Sequence, residues 1–450
     1  MGRFVPVDRD TLYLFPPSVQ EWLPEGHLAR FVVETVEGLD LGELERAYAS
    51  RGSEAFHPAM LLGLLIYGYA TGVFSSRKIE RASYDSVAFR YVAANTHPDH
   101  DTINEFRKRF LKQIGPLFVQ VLLIAREMGI LKLGNVALDG SKVHANASKH
   151  SALSWGHANK IEEQLQAEVT ELLRLGAQAD QADVPDGMSI PKELALREKR
   201  LKAIAEAKQR IAERAVQRRA MEQAEYEAKC QAREAKRQAG KRPRGPQPQP
   251  PEAEVKDTDQ VNLTDTDSRI MKATGKGFEQ AYNAQAAVDT ETMLVVGEQL
   301  TQAPNDKQQV EPMLERLQVL PEVLGEVEGL IADTGYCSAH NVACCEAAKI
   351  TPYIATGKEQ HHSPPLARFS EPPCVQPGAD ALTHMQHRLC TREGKALYAQ
   401  RKSTVEPVFG IIKQVMGFRQ FMLRGLEKVK GEWTLVCLAY NVKRLRVLAG

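Results

Sequence analysis

Three carboxylates stand in local settings that could support chemistry. Asp139 sits where a β-like run ends in VALDGSKV, and Asp333 ends another in GLIADTGY. A carboxylate at the carboxyl edge of a sheet faces the crevice in which α/β folds hold their ligands. Taken singly, each acid also reads as a turn residue, Asp139 opening an Asp-Gly turn and Asp333 capping a helix. The third acid, Glu406, lies in YAQRKSTVEPVFGIIKQVMGFRQF. On one straight helix at about 100° per residue, Tyr398, Lys402, Glu406 and Lys413 share a face, with Arg401 on the other side of Tyr398. That face is either an ion-paired surface stripe or a metal ligand set among phosphate-binding cations. Pro407 disfavours helix at Glu406 and suits the first residue of a new one.

The elements that must position these acids can be read from changes of period. Residues 1–125 read as helical, with Ser18, Asp40, Ser75 and Asp101 as cap positions. Asn135–Val143, Tyr282–Asp289, Leu294–Leu300, Val327–Asp333 and Ile350–Ala355 read as short strands. Helical stretches near 306–319, 339–348 and 396–420 alternate with the later strands, which implies an α/β sheet with helices packed on it. Between the first strand and the rest, residues 157–239 are helix-rich and break at Gly176, Pro185, Gly187 and Pro191, as a helical hairpin would. Its first arm carries Ile161, Leu165, Val169, Leu172 and Leu173 as one apolar stripe. GKRPRGPQPQPPE (240–252) follows as an extended linker.

Charge is distributed by block. The 450 residues carry 58 Lys+Arg and 57 Asp+Glu, so a uniformly basic nucleic-acid coat and an acidic tail are both excluded. Residues 192–244 hold 17 basic and 8 acidic residues, a net +9; 388–450 hold 13 and 4, also +9. Residues 252–345 hold 6 basic and 17 acidic residues, a net −11. Seven cysteines without a CxxC pair fit a reducing compartment. The start lacks the apolar segment of a signal peptide, and Met60 to Phe74 is too short to span a bilayer and reads as a buried core helix. A soluble cytoplasmic protein with no membrane partner is expected.

ALDGSKV, ADTGY and the Y-x2-R…E-x6-K pattern together resemble the three acidic motifs of DDE-type insertion-sequence transposases. NLTDTDSRIMK, GFEQAYNAQAAVD, the Glu406 run and RGLEKVKGEWTLVCLAYNVKRL extend the resemblance, as does PDHDTINEFRKRF in the N-terminal region. It touches nearly the whole chain. It implies an α/β RNase H-like catalytic core, residues 130–150 and 261–450, with a helical N-terminal DNA-binding domain over 1–125. A helical, coiled-coil-like insertion with its Pro-rich linker would occupy 151–260, after the first core strand. Asp139, Asp333 and Glu406 become the catalytic, metal-holding triad, and Tyr398, Arg401 and Lys413 contact DNA. The family leaves three residues between its Arg and Glu, whereas Arg401 and Glu406 have four between them and Lys402 has three. Spacing and helical wheel together put Lys402 in that positional role and leave that of Arg401 open.

Such a triad would work with two Mg²⁺ ions, for which Mn²⁺ could substitute, cutting phosphodiesters and joining 3′-OH ends to target DNA. The implied partner is double-stranded DNA, as transposon ends and as target, bound by a homodimer or larger assembly in the bacterial cytoplasm at the nucleoid. Two rival readings stay open: a catalytically silent DNA-binding repressor, and a non-mobile RNase H-like nuclease. Further DNA contacts are expected from Arg419 and Arg424. Arg107 and Arg109 would supply others from a helix-turn-helix-like segment near Asp101, whose bland reading is a solvated face. The basic stretch 192–244 is either a solvated coil or a phosphate-binding arm. Cys374, His384, His387 and Cys390 are zinc-ligand types at a non-standard spacing, and His361–His362 reads as exposed loop. Gly275–Lys276–Gly277 lacks the rest of a P-loop, and Trp433 reads as core.

Overall fold

A computed structural model describes residues 18–48, 55–177, 189–238, 240, 243, 245–251, 255–272, 277–357, 371–372, 374–375 and 378–450. The chain divides into two compact units. One comprises residues 1–146, 271–276 and 281–450; the other comprises 147–270 and 277–280.

The first unit opens with helices α1 (Leu28–Glu37), α2 (Gly42–Arg46), α3 (Pro58–Thr71), α4 (Ser76–Asp85), α5 (Val87–Val92), α6 (His100–Arg109) and α7 (Ile114–Glu127). Helix α3, PAMLLGLLIYGYAT, is apolar all round and therefore buried on all sides. His57 Nδ1 caps its start, Pro58 takes the first position and Gly72 ends it in the left-handed region at φ 86°. Gly72 is also required sterically, since a Cβ there would stand 2.9 Å from Met416 O. Among the described residues no single helix is long and apolar enough to cross a membrane. The α6 cap is Asp99, which accepts from Thr102 N at 2.7 Å, and not Asp101, which falls inside the first turn.

The sheet is built from β1 (Asn135–His144), β4 (Arg269–Lys272), β5 (Phe278–Asp289), β6 (Val295–Thr301), β7 (Gly329–Ala332) and β8 (Thr351–Ile354). Its order is β4-β5-β1-β7-β8, with β6 also on β5. β5 runs antiparallel to β1 and β6, whereas β7 and β8 run parallel to β1. Helices α10 (Val310–Gln318) and α11 (Ala339–Ala347) connect the later strands. α12 (Ala381–Cys390), α13 (Arg392–Ala399) and α14 (Val405–Gly410) lead to the long α15 (Leu426–Leu448).

Helix α15 joins the N-terminal helices to the sheet, packing against α3, α7 and β6. Its Asn441 imitates a strand neighbour: Oδ1 accepts from Val295 N at 2.8 Å and Nδ2 donates to Val295 O at 2.7 Å. Trp433, buried as its apolar surroundings predict, donates from Nε1 to Gln285 O. A buried network crosses the same junction. Arg107 Nη1 donates to Tyr69 Oη and Phe74 O, both at 3.1 Å, and Tyr69 Oη donates to Glu432 Oε1 at 2.7 Å. Glu432 also accepts from the Met422 and Leu423 amides. Burial raises the Glu432 carboxyl, while Tyr69, Arg107 and those amides pull it down.

The second unit holds α8 (Trp155–Ala177), α9 (Ile190–Gln238) and a two-stranded ribbon of β2 (Ala152–Ser154) and β3 (Gln260–Asn262). Leu153, Ala158, Leu165, Ile204, Ala207, Ile211 and Val261 form its core. Lys208 pairs with Glu162 at 2.6 Å and Arg197 with Glu168 at 2.7 Å, a register in which the two helices run antiparallel. Of the expected apolar stripe Leu165 and Leu172 are buried and Ile161 and Val169 half-buried, but Leu173 is exposed. Pro191 does not break α9; it occupies the first turn, where its missing N–H costs nothing. The bend expected at Pro185 and Gly187, the His361–His362 pair, Gly275–Lys276 and parts of the Pro-rich linker lie outside the described residues.

Candidate active site

Sheet register brings the first two acids together. β7 pairs with β1 from Asn135↔Gly329 to Leu138↔Ala332, so Asp139 and Asp333 are the next residues on adjacent parallel strands. Asp139 does not open a turn. β1 continues through it to His144, paired beyond Leu138 with β5 and, at His144, with Gln420, and Asp139 stands opposite Ala286. The glycine after it answers packing: a Cβ on Gly140 would collide with Gln285 Nε2 and Asp306 Oδ1. Asp333 caps a 3-10 turn, its Oδ1 accepting from Gly335 N at 2.8 Å.

A fourth acid, Asp306, belongs to the same cluster. Its Oδ1 accepts from Asn283 Nδ2 at 2.8 Å and Gln285 Nε2 at 2.7 Å. Asn283 and Gln285 are two apart on β5, so they share one face of the strand. Tyr336 donates its hydroxyl to Gln285 Oε1 and so completes a buried polar layer beneath the carboxylates. Burial, then the charges of Asp306, Asp139 and Asp333, hold that phenol well above its usual range. The available signals were an N-x-Q alternation in an otherwise apolar strand and a Tyr three residues after Asp333. Nothing in the local sequence marks Asp306, because its role comes from a non-local approach to β1.

Glu406 arrives differently from the straight-helix expectation. Helix α13 ends at Ala399, Gln400–Ser403 form a 3-10 turn, and Thr404 takes φ −116°, ψ −83° before α14 begins at Val405. The chain then passes into a π-helical turn at Ile411–Val415. Pro407 is thus the third residue of α14, within the turn whose N–H groups lack helical partners, and not its first. The single wheel across 398–413 therefore fails. Arg401, not Lys402, reaches the acids: Nη1 donates to Asp139 Oδ2 at 3.4 Å and Nη2 to Glu406 Oε1 at 2.7 Å. Lys402 is exposed. The 3-10 turn absorbs the extra residue between Arg401 and Glu406.

The electrostatics follow from this crowding. Burial pushes the Asp139 carboxyl up to about 6, with Asp333 and Asp306 acting in the same direction, while the Gly140 amide and Arg401 oppose it. Lys413 is half-buried and donates from Nζ to Ser141 Oγ at 2.5 Å and Lys142 O at 2.7 Å, which ties the π-helical turn to β1. Its burial lowers the ammonium pKa and the nearby Asp139 raises it. Arg401 Nε is buried without a hydrogen-bond partner among the described residues, so the guanidinium retains unused donor capacity. The donor set, carboxylate oxygens with mutual repulsion, is of the hard type that Mg²⁺ takes. Among the described residues no three of these acids have oxygens within 4.8 Å of one another. Arg401 spans the gap between Asp139 and Glu406.

Two family matches bear on this geometry. Residues 17–109 match a family described as "Transposase domain (DUF772)", and residues 255–442 match "Transposase DDE domain". Together the matches take in well over half of the chain, in the order helical region then acid-bearing sheet. The chain belongs to the DDE transposases of insertion sequences. No curated protein and no solved structure matches it. The DDE domain implies an RNase H-like fold, which agrees with the mixed sheet seen here. The matched segment begins after Asp139, and the pairing of β1 with β5 and β7 sets Asp139 beside strands of that segment.

The remaining cations separate into two groups. Arg107 is 5 % exposed and bound to Tyr69, Phe74 and Asn104, so the expectation that it meets DNA is corrected: it is linked to buried Glu432 through the Tyr69 hydroxyl. Arg109 is exposed, lies over the Tyr48 and Phe110 rings and donates to Ala47 O. Arg419 and Arg424 are exposed, and their guanidinium groups brace the Lys413 and Asn146 carbonyls. Tyr398 is half-buried on α13. Cys374, His384, His387 and Cys390 do not form a ligand cluster among the described residues.

Proposed function

We propose that this transposase cuts and joins DNA strands at Asp139, Asp333 and Glu406, with Asp306 and Arg401 completing the site. The observation that carries the reading is the convergence itself. Two acids are set side by side by strand register, and a third is linked to the first through Arg401. The carboxylates would hold two divalent metal ions, magnesium with manganese as substitute. Bound there, the ions would activate water or a 3′-OH and relieve charge on the scissile phosphate. Asn283 and Gln285 hold Asp306 in place, and Lys413 holds the strand beyond Asp139. Arg401, with donor capacity to spare, is suited to a phosphate oxygen.

On this reading residues 1–125 bind the terminal inverted repeats, 130–150 with 261–450 form the catalytic domain, and 151–260 are an insertion after the first core strand. DNA would lie along Tyr398, Lys402, Arg419 and Arg424, with Arg109 on the N-terminal side, and the working form would be at least a dimer. A plasmid carrying the element's ends, incubated with Mg²⁺ and wild-type protein, is expected to be nicked and its 3′ ends joined to target. Asp139→Asn, Asp333→Asn and Glu406→Gln should each abolish cleavage while end binding persists. Full cleavage by any one variant removes that residue from the triad, and cleavage without end preference or joining marks a plain nuclease.

A further inference from the structure

A second metal-ligand constellation lies outside the acid cluster, between α10 and α11. His340 and Cys344 are i and i+4 on α11, so their side chains rise from one face. Glu311, in the first turn of α10, faces them. His340 Nε2 lies 3.2 Å from Glu311 Oε2 and 3.5 Å from Cys344 Sγ. All three ligand atoms lie within 4.8 Å of one another.

These separations discriminate among ions. Tetrahedral zinc, with bonds of about 2.0–2.1 Å to nitrogen, 2.3 Å to sulfur and 2.0–2.2 Å to oxygen, requires N···O and N···S edges of about 3.3 and 3.5 Å. The observed spacings match both edges before any ion is added. A mixed imidazole, thiolate and carboxylate set suits Zn²⁺, whereas the all-oxygen acid cluster suits Mg²⁺. Glu311 and His340 are exposed, so an ion can enter without unfolding. We propose that Glu311, His340 and Cys344 bind one zinc ion, with the fourth position left to water.

The location gives the ion a consequence. α10 follows the loop bearing Asp306, and α11 follows the loop bearing Asp333. Asn341, between the two α11 ligands, already joins these loops by donating to Lys307 O at 2.8 Å and Tyr336 O at 2.6 Å. Zinc across the outer face would clamp the same two helices and hold the spacing of Asp306 and Asp333 from behind.

The test uses the full chain, stripped with chelator and titrated with Co²⁺ in excess Mg²⁺, which occupies carboxylate-only sites. A thiolate-to-cobalt charge-transfer band is expected at one equivalent, displaced by one equivalent of Zn²⁺. Cys344→Ser should lose the band, His340→Ala should lose stoichiometric binding, and Glu311→Gln should weaken it. Zinc should raise the melting temperature of the wild type but not of His340→Ala. All three side chains reach the surface, so circular dichroism of the metal-free variants should match wild type; Glu311→Gln, which leaves the α11 pair intact, serves if either α11 variant misfolds. Absence of a thiolate band in the wild type overturns the proposal. So does a band that survives Cys344→Ser and vanishes in Cys374→Ser or Cys390→Ser. DNA is absent from the assay, so its result is independent of the cleavage reading.

Discussion

Asp139 is costly to the fold in the metal-free protein, because its carboxyl is pushed up to about 6 by burial and by neighbouring acids. A folded pKa above the unfolded value means that the folded state binds the proton more tightly. The stability from this group is fully present below pH of about 4 and is lost as pH rises through about 6. In chelator, denaturant titrations should therefore show wild type weakening over that window more steeply than Asp139→Asn. At pH 7 the variant is expected to be more stable by up to about 3 kcal/mol while failing to cleave. Arg401 and Lys402 make a second contrast at this scale. Arg401→Gln removes the cation between two acids and should lower the cleavage rate about a hundredfold, a size typical of losing one preorganised donor. Lys402→Gln should remain near wild type. Equal losses in the two variants would return Lys402 to the positional role that spacing had assigned it.

The elements show where sequence reasoning succeeds and where it stops. Five of the six sheet strands were legible from period and apolar content, with ends within a few residues of those observed, whereas the four-residue β4 was not. The neighbourhood of Asp139 and Asp333 was legible as a motif but not as a register, since pairing partners are set by the whole sheet. The Glu406 region was misread because a wheel presumes constant twist. The chain instead passes through a 3-10 turn, the unusual Thr404 conformation and a π turn within 16 residues, 400–415. Deleting Ser403 would restore the family spacing between Arg401 and Glu406. In this chain it should abolish cleavage, because Ser403 closes the 3-10 turn that delivers Arg401, its hydroxyl donating to Gln400 O at 3.0 Å. Retained activity in the deletion would show that Arg401 can be replaced from its neighbouring position.

For the whole molecule, the junction of N-terminal helices and sheet is the decisive feature. Arg107 looked like a surface cation because a basic helix near a family motif suggests DNA, and a sequence does not show that Glu432 lies opposite. Arg107 and Glu432 are bridged by Tyr69, and removing one charge from a buried ionic arrangement typically costs about 3–5 kcal/mol. Arg107→Met and Glu432→Gln are each expected to fall in that range by denaturation, and the double variant should cost less than the sum. If Arg107→Met weakened DNA binding with no loss of stability, the buried role would be wrong. The later part of the acidic block, 281–345, and the basic block 388–450 both belong to the first unit, with Asp306 and Asp333 in one and Arg401 and Glu406 in the other.

The separation of these acids along the chain has a consequence in time. Asp139 is made early, the helical pair follows, and Asp306, Asp333 and Glu406 come much later. Helix α15, which closes the core beneath them, is made later still. A polypeptide that ends before residue 406 lacks the third of the proposed acids. On the proposed assignment, cutting would then require translation to pass residue 406.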